Sequence, residues 1–133
     1  MRIPTCGLLL ACLLACSGCG GTKSTDELID ALHSGQTVDR VKAVRLLPRH
    51  KRDAARVVPA LIASLKDTDD EVRWGAAIGL GYYGSQAREA ISALQAAQHD
   101  RDPRVREAAT TALSRIDPVQ FPMPARAHAR QRK

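Results

Sequence analysis

Apolar residues recur along this chain at helical rather than strand spacing. Val72, Ala76 and Leu80 stand at i, i+4 and i+8 with Ala77 beside them, which draws one narrow apolar stripe. Val105, Ala109, Ala112, Leu113 and Ile116 draw another. Before these, Leu28, Ile29 and Leu32 stop at Gly35, and Val41, Val44, Leu46 and Leu47 stop at Pro48. Val57, Val58, Leu61, Ile62 and Leu65 run to Lys66-Asp67, with Pro59 early in that helix. Ala87, Ile91, Leu94 and Ala97 or Gln98 form a further face. The punctuation agrees. Ser24-Thr25-Asp26-Glu27 fits a capping box, and Thr37, Asp53, Thr68-Asp69-Asp70 and Asp102 supply starts. Pro103 suits a first helical position, and Asp117-Pro118 ends the last helix. Gly79, Gly81 and Gly84 are expected to close the helix that begins near Asp70, and Ser85 to cap the next one.

The stripes repeat. At an offset of 33 residues Asp67 meets Asp100, Asp69 meets Asp102, Val72-Arg73 meets Val105-Arg106, Ala76 meets Ala109 and Leu80 meets Leu113. One period earlier Arg40, Ala43 and Leu47 fall under Arg73, Ala76 and Leu80, and Ala60-Leu61 falls on Ala93-Leu94. Such pairs cannot bury their faces alone and must stack. The pattern predicts an all-α fold, an α-solenoid of about three helical-hairpin repeats over residues 25–117.

The stretch Val57-Val58-Pro59-Ala60-Leu61, then Leu65-Lys66-Asp67, then Val72-Arg73 with Ala76 and Leu80, resembles a HEAT repeat of the phycobilisome-lyase-like class. Asp102-Pro103-Arg104-Val105-Arg106 repeats its second half. The resemblance covers about residues 37–117, and departs from the pattern at Ser92, where a Pro would stand, and at Asp39, where a Val would. It implies protein binding through a stacked helical surface. Some members attach bilin pigments, and some HEAT-like relatives are di-iron hydroxylases built on His-Glu pairs. This chain has no His-Glu pair, and its shortness and apparent export argue against pigment attachment.

Export is read from the start. Met1-Arg2 precedes an uncharged, Leu-rich run from Ile3 to Ala15. As helix that run rises only about 20 Å, short of the ~30 Å of bilayer hydrocarbon, so it reads as a signal peptide. Its end resembles a bacterial lipoprotein lipobox, in which a Cys becomes the acylated N-terminus. Cys16 follows Leu13 and Ala15; Cys19 follows Ser17 and Gly18 and is the alternative. The resemblance implies a lipid anchor on a bacterial membrane, with residues 1–19 as the signal and 20–24 as a short tether. All four cysteines lie in these nineteen residues, which leaves the repeats without disulfide or thiolate ligands.

Composition changes this picture little. The chain is 44% hydrophobic and 3% aromatic, poor material for a β-sandwich. Its net charge of +6 comes mostly from Arg126, Arg130, Arg132 and Lys133 in a basic tail, residues 118–133, that is expected to be disordered. Without Arg2 and that tail, fifteen basic residues face fourteen acidic ones. Net charge therefore gives no ground for expecting a nucleic-acid partner.

Candidate chemistry is sparse. His33, His50, His99 and His128 are isolated, no zinc-type His-Glu-x-x-His or nucleophile motif occurs, and no cofactor, metal or catalytic residue is expected. Arg73 and Arg106 recur with the period. They form either a ladder of cations for a partner, or ion pairs with an inter-repeat Asp such as Asp69 or Asp102. Trp74, Ile78 and Tyr82 share one helical face, which serves either a protein interface or a neighbouring repeat. Between Arg40 and Arg56 seven basic residues crowd against Asp53 alone. Arg45, Arg49, Lys51 and Arg52 among them could meet anionic headgroups or simply face solvent. The rear of the stack is covered by a partner or a second copy, or caps itself with Arg106, Glu107 and Arg115. The sequence thus points to a membrane-tethered, protein-binding adaptor without catalysis, contacting its partner through Arg73, Trp74, Tyr82 and Arg106. The alternatives are a regulatory or lyase-like subunit of a larger enzyme, and an envelope adaptor acting through the basic patch.

Overall fold

A computed structural model describes residues 23–123. The expected signal peptide, both candidate lipidation cysteines and the basic end of the tail lie outside the described residues. Six α-helices follow in order: α1 (Thr25–Ala31), α2 (Thr37–Leu46), α3 (Ala54–Ser64), α4 (Asp70–Tyr83), α5 (Ile91–Ala97) and α6 (Pro103–Ile116). Tight 3-10 turns cover Leu47–Arg49, Lys51–Asp53 and Gly84–Ala90. The pairs α1–α2, α3–α4 and α5–α6 are hairpins, and α4 packs on α2 before it and on α6 after it. The fold is the all-α solenoid that the period predicts.

The starts obey capping chemistry. Ser24 and Glu27 form a reciprocal capping box on α1. Asp69 accepts from the Glu71 and Val72 N–H groups, and Asp102 from that of Arg104. Thr37 is already helical, with Gln36 at the cap position and no side-chain bond. Asp53 precedes α3 without capping it, because the Thr25 hydroxyl donates to its carboxylate and holds α1 against the turn. Ser85 caps nothing, since the chain after α4 tightens into a 3-10 turn and α5 starts only at Ile91.

Two glycines expected to end α4 lie inside it. A Cβ on Gly79 would stand 3.0 Å from Leu61 Cδ1 and 3.1 Å from Pro48 Cγ; one on Gly81 would stand 3.2 Å from the Ala112 Cα. They let neighbouring helices approach rather than stop the helix. Gly84, at φ 53°, is where the helix ends.

Leu28, Val44, Leu47, Val57, Leu61, Val72, Leu80, Leu94, Val105 and Leu113 build one continuous core along the stack. Tyr83 reaches under it. Its hydroxyl donates to the carbonyls of Leu47 at 3.1 Å and His50 at 3.2 Å, and burial pushes its pKa up to about 12. Past α6 the chain turns where Asp117 Oδ1 accepts from the Val119 and Gln120 N–H groups. Phe121 then packs against the core, so the chain is placed as far as Met123, beyond the Pro118 at which disorder was expected. Among the described residues no helix is long and apolar enough to cross a membrane.

Candidate functional site

Helix α4 carries a ridge. Trp74 and Ile78 are half-buried and Tyr82 is 57% exposed, one helical turn apart on the face between α2 and α6. Two grooves flank it. The larger, about 700 Å³, runs between α2 and α4, with Val44, Pro48, Trp74, Ile78 and Tyr82 as apolar lining and Arg45, Arg49 and Lys51 along its rim. The smaller, about 380 Å³, runs between α4 and α6, where Glu107, Thr111 and Ala112 meet the other side of the ridge.

Cations from α6 cover the aromatic rings. The Arg104 guanidinium stands 6.0 Å from the Trp74 ring centre, and that of Arg115 stands 5.7 Å from the Tyr82 ring centre, both within cation–π reach. Arg104 also binds Asp70 at 3.1 Å and Asp102 at 3.2 Å, and pairs with Glu71. Glu71 takes Arg45 from the other side at 2.9 Å. Hydrogen bonding from Arg104 holds the Glu71 carboxyl below its ordinary range, and the same partner does so more strongly for Asp102. The ridge is thus flanked by charge from both neighbouring helices. Sequence reasoning placed neither Arg104 nor Arg115 at this face, reading Arg104 only as part of the repeat and Arg115 only as a cap at the rear, although Arg115 lies 33 residues after Tyr82.

Arg73 does not join this face. Its side chain is 7% exposed and its fork lies on Asp100, with Nε to Oδ2 at 2.8 Å and Nη2 to Oδ1 at 3.0 Å. Arg40 makes the same pair with Asp67, at 2.9 and 3.1 Å. The ion-pair partners are therefore Asp67 and Asp100, not Asp69 and Asp102, whose side chains turn back to cap α4 and α6. Hydrogen bonding from Arg73 holds the Asp100 carboxyl below its ordinary range. At Asp67 burial acts upward, but hydrogen bonds from Arg40 and the Asp69 N–H outweigh it and the net shift is down. Arg106 is exposed at the far edge of α6, away from the ridge's grooves.

The basic stretch divides. Arg40 is committed to Asp67, Arg45 to Glu71, and Arg56 to Asp26. Arg49, Lys51 and Arg52 are exposed and form no ion pair among the described residues. No group of three or more His, Cys, Asp or Glu that could hold a metal ion occurs among the described residues. What the ridge and its grooves can do is grip a partly apolar, partly anionic surface without supplying a nucleophile of their own.

The comparisons with known proteins agree with this architecture. No curated protein sequence matches the chain. Among solved structures the chain resembles one from the complex of CpcE and CpcF of phycocyanin lyase from Nostoc sp. PCC7120. The identity is 28% and the TM-score 0.66, over 75% of this chain and 40% of that one. This chain thus spans less than half the length of that relative. The likeness overturns the expectation of an adaptor unconnected with catalysis and favours the alternative, a lyase-like subunit, because the chain it matches belongs to a lyase. Sequence reasoning held a lyase-like subunit only as an alternative, because it weighed the lack of reactive groups too heavily, where a subunit can bind without carrying the chemistry. The family model for HEAT repeats matches residues 25–114, most of the chain, and the protein belongs to the HEAT-repeat family.

Proposed function

We propose that this chain is a HEAT-repeat subunit of a lyase-like enzyme assembled from two proteins, with the α4 ridge as its gripping surface. The likeness to a chain of the two-protein phycocyanin lyase carries this reading. The ridge supports it: Trp74, Ile78 and Tyr82 offer apolar area, and Arg45, Arg49 and Lys51 offer a cationic rim. Aromatic and Arg side chains of this kind are the usual anchors of protein recognition.

The test is complementation. The chain is mixed with CpcE alone and with CpcF alone, and phycocyanin lyase activity is measured. Activity is expected with one of the two and not with the chain by itself, and Trp74→Ala is expected to reduce it at least tenfold. No activity in either mixture would overturn the reading.

Membrane tethering belongs to the same proposal. The apolar run ending at Cys16 or Cys19 supports it, and Arg52, exposed and outside the groove lining, would then face anionic headgroups. Intact mass and membrane fractionation of wild type against Cys16→Ser and Cys19→Ser decide it. Added acyl mass is expected to vanish in one variant, whereas a full-length soluble product would end the idea.

A further inference from the structure

Three arginines, one repeat apart, hold their own turns in the same way. Arg40 Nη1 donates to the Ser34 carbonyl at 3.0 Å, Arg73 Nη1 to that of Asp67 at 2.9 Å, and Arg106 Nη1 to that of Asp100 at 2.9 Å. Arg73 and Arg106 each add the next carbonyl, Thr68 and Arg101, at 3.1 Å. Each guanidinium is thus oriented by its own repeat, independently of any neighbour. The first two then place Nε and Nη2 on the carboxylate of the following turn, Asp67 and Asp100. Arg106 has the same orientation, but among the described residues its remaining donors meet no carboxylate. Residues 124–133 contain no Asp or Glu.

We propose that Arg106 is the receptor for an aspartate in the turn of a HEAT-type helical hairpin belonging to a second, different protein, which docks on the α6 end of the solenoid. A pre-set planar fork recognises a carboxylate bidentately, and the geometry for doing so is already made twice within this chain.

A second copy does not fit that end. At the position of Asp67 and Asp100 the first repeat has Ser34. Its hydroxyl keeps the turn bond from the Gln36 N–H at 3.1 Å, as Asp67 and Asp100 do for the N–H groups of Asp69 and Asp102 at 2.9 Å. It supplies no charge to an arginine. Lys42 stands where α4 has Gly75, and Gly75 lies so close to α2, its counterpart in the repeat before, that a Cβ would come within 2.5 Å of Val44 Cγ2. The front of this chain therefore lacks both the carboxylate and the small residue. A fitting hairpin has Asp followed eight residues later by Gly or Ala, as in Asp67 with Gly75 and Asp100 with Ala108. Thr110, only partly buried, stands where α4 has the buried Ala77, so the seam is more polar there than the one between α4 and α6. The ion pair then carries a larger share of recognition.

The probe is this chain with the missing features restored and its own receptor removed, Ser34→Asp/Lys42→Gly/Arg106→Gln; if circular dichroism shows it is not helical, Lys42→Ala replaces the glycine. Sedimentation velocity and calorimetric titration against the wild-type chain at low salt are expected to give a one-to-one complex. Binding should weaken at least tenfold for an Arg106→Gln receiver, fall between for Arg106→Lys, and decline with added salt. A folded probe that does not bind, or binds the Arg106→Gln receiver equally well, overturns the proposal. So does wild type that self-associates through Arg106. None of these readouts depends on lyase activity, so the proposal and the complementation test fail separately.

Discussion

Burial leaves the Arg73 guanidinium two places for its donors, the carbonyls of its own turn and the Asp100 carboxylate. Removing it strands a carboxylate that is only 12% exposed. Arg73→Gln should therefore cost about 3 kcal/mol, as expected for a buried pair that loses one partner. Acid does the same from the other side. Asp100 has a folded pKa held below the unfolded value of about 3.9. Its contribution is complete above that value and is lost as pH falls through the folded pKa. Urea unfolding of wild type should show a steep loss of stability below about pH 4. Asp100→Asn should be less stable at pH 6 and flatter on acidification, and an equally steep profile would discount the pair. The period aligned these residues but could not assign the partners. Asp69 and Asp102 bear the same carboxylate, and only the direction of each side chain decides which one caps and which one pairs.

Close approach governs the elements. Helix α4 gives up side chains at Gly75, Gly79 and Gly81, and each absence admits a neighbour: Val44 from α2, Leu61 and Pro48 from α3 and the turn before it, and Ala112 from α6. Glycine normally weakens a helix by about 1 kcal/mol relative to Ala, yet Gly75→Ala should lower stability. The added Cβ would meet Val44 Cγ2 at 2.5 Å, and overpacking costs about 1–3 kcal/mol. Gly35→Ala, with nothing within 4 Å, should be neutral or stabilising by about 0.5 kcal/mol. Thermal melts of the two variants check both signs, and a stabilising Gly75→Ala would remove the close-packing account. From sequence, glycines late in a helix read as stops because local propensity is all that a single strand of text contains; what they face comes from residues 18 to 34 positions away. The Trp74–Ile78–Tyr82 face was legible for the opposite reason, since its spacing is local.

For the whole molecule, the stacked hairpins make the ridge a joint product of three repeats. Trp74 lies between Arg45 and its neighbours from α2 and Arg104 from α6. An occupant of the ridge thus binds the folded stack and not the unfolded chain, so it must raise the melting temperature as its concentration rises above Kd. That is the expectation for the active two-protein mixture, and Trp74→Ala should abolish the shift while leaving the melt of the free chain within a few degrees. A shift that survives the substitution would place the occupant elsewhere. Absent chemistry was the misleading sign at this scale, because a repeat surface advertises binding and leaves its partner's reaction unwritten.

The three glycines of α4 also decide when that surface can exist. A helix with so many flexible links has little tendency to form alone; an isolated peptide of residues 70–83 would be mostly coil in water. The ridge therefore exists only together with the contacts from α2, α3 and α6 that hold α4. Recognition by this protein is tied to the integrity of its scaffold: a lesion at Leu61, buried against Gly79 and outside both grooves, would be read by the ligand as a missing site.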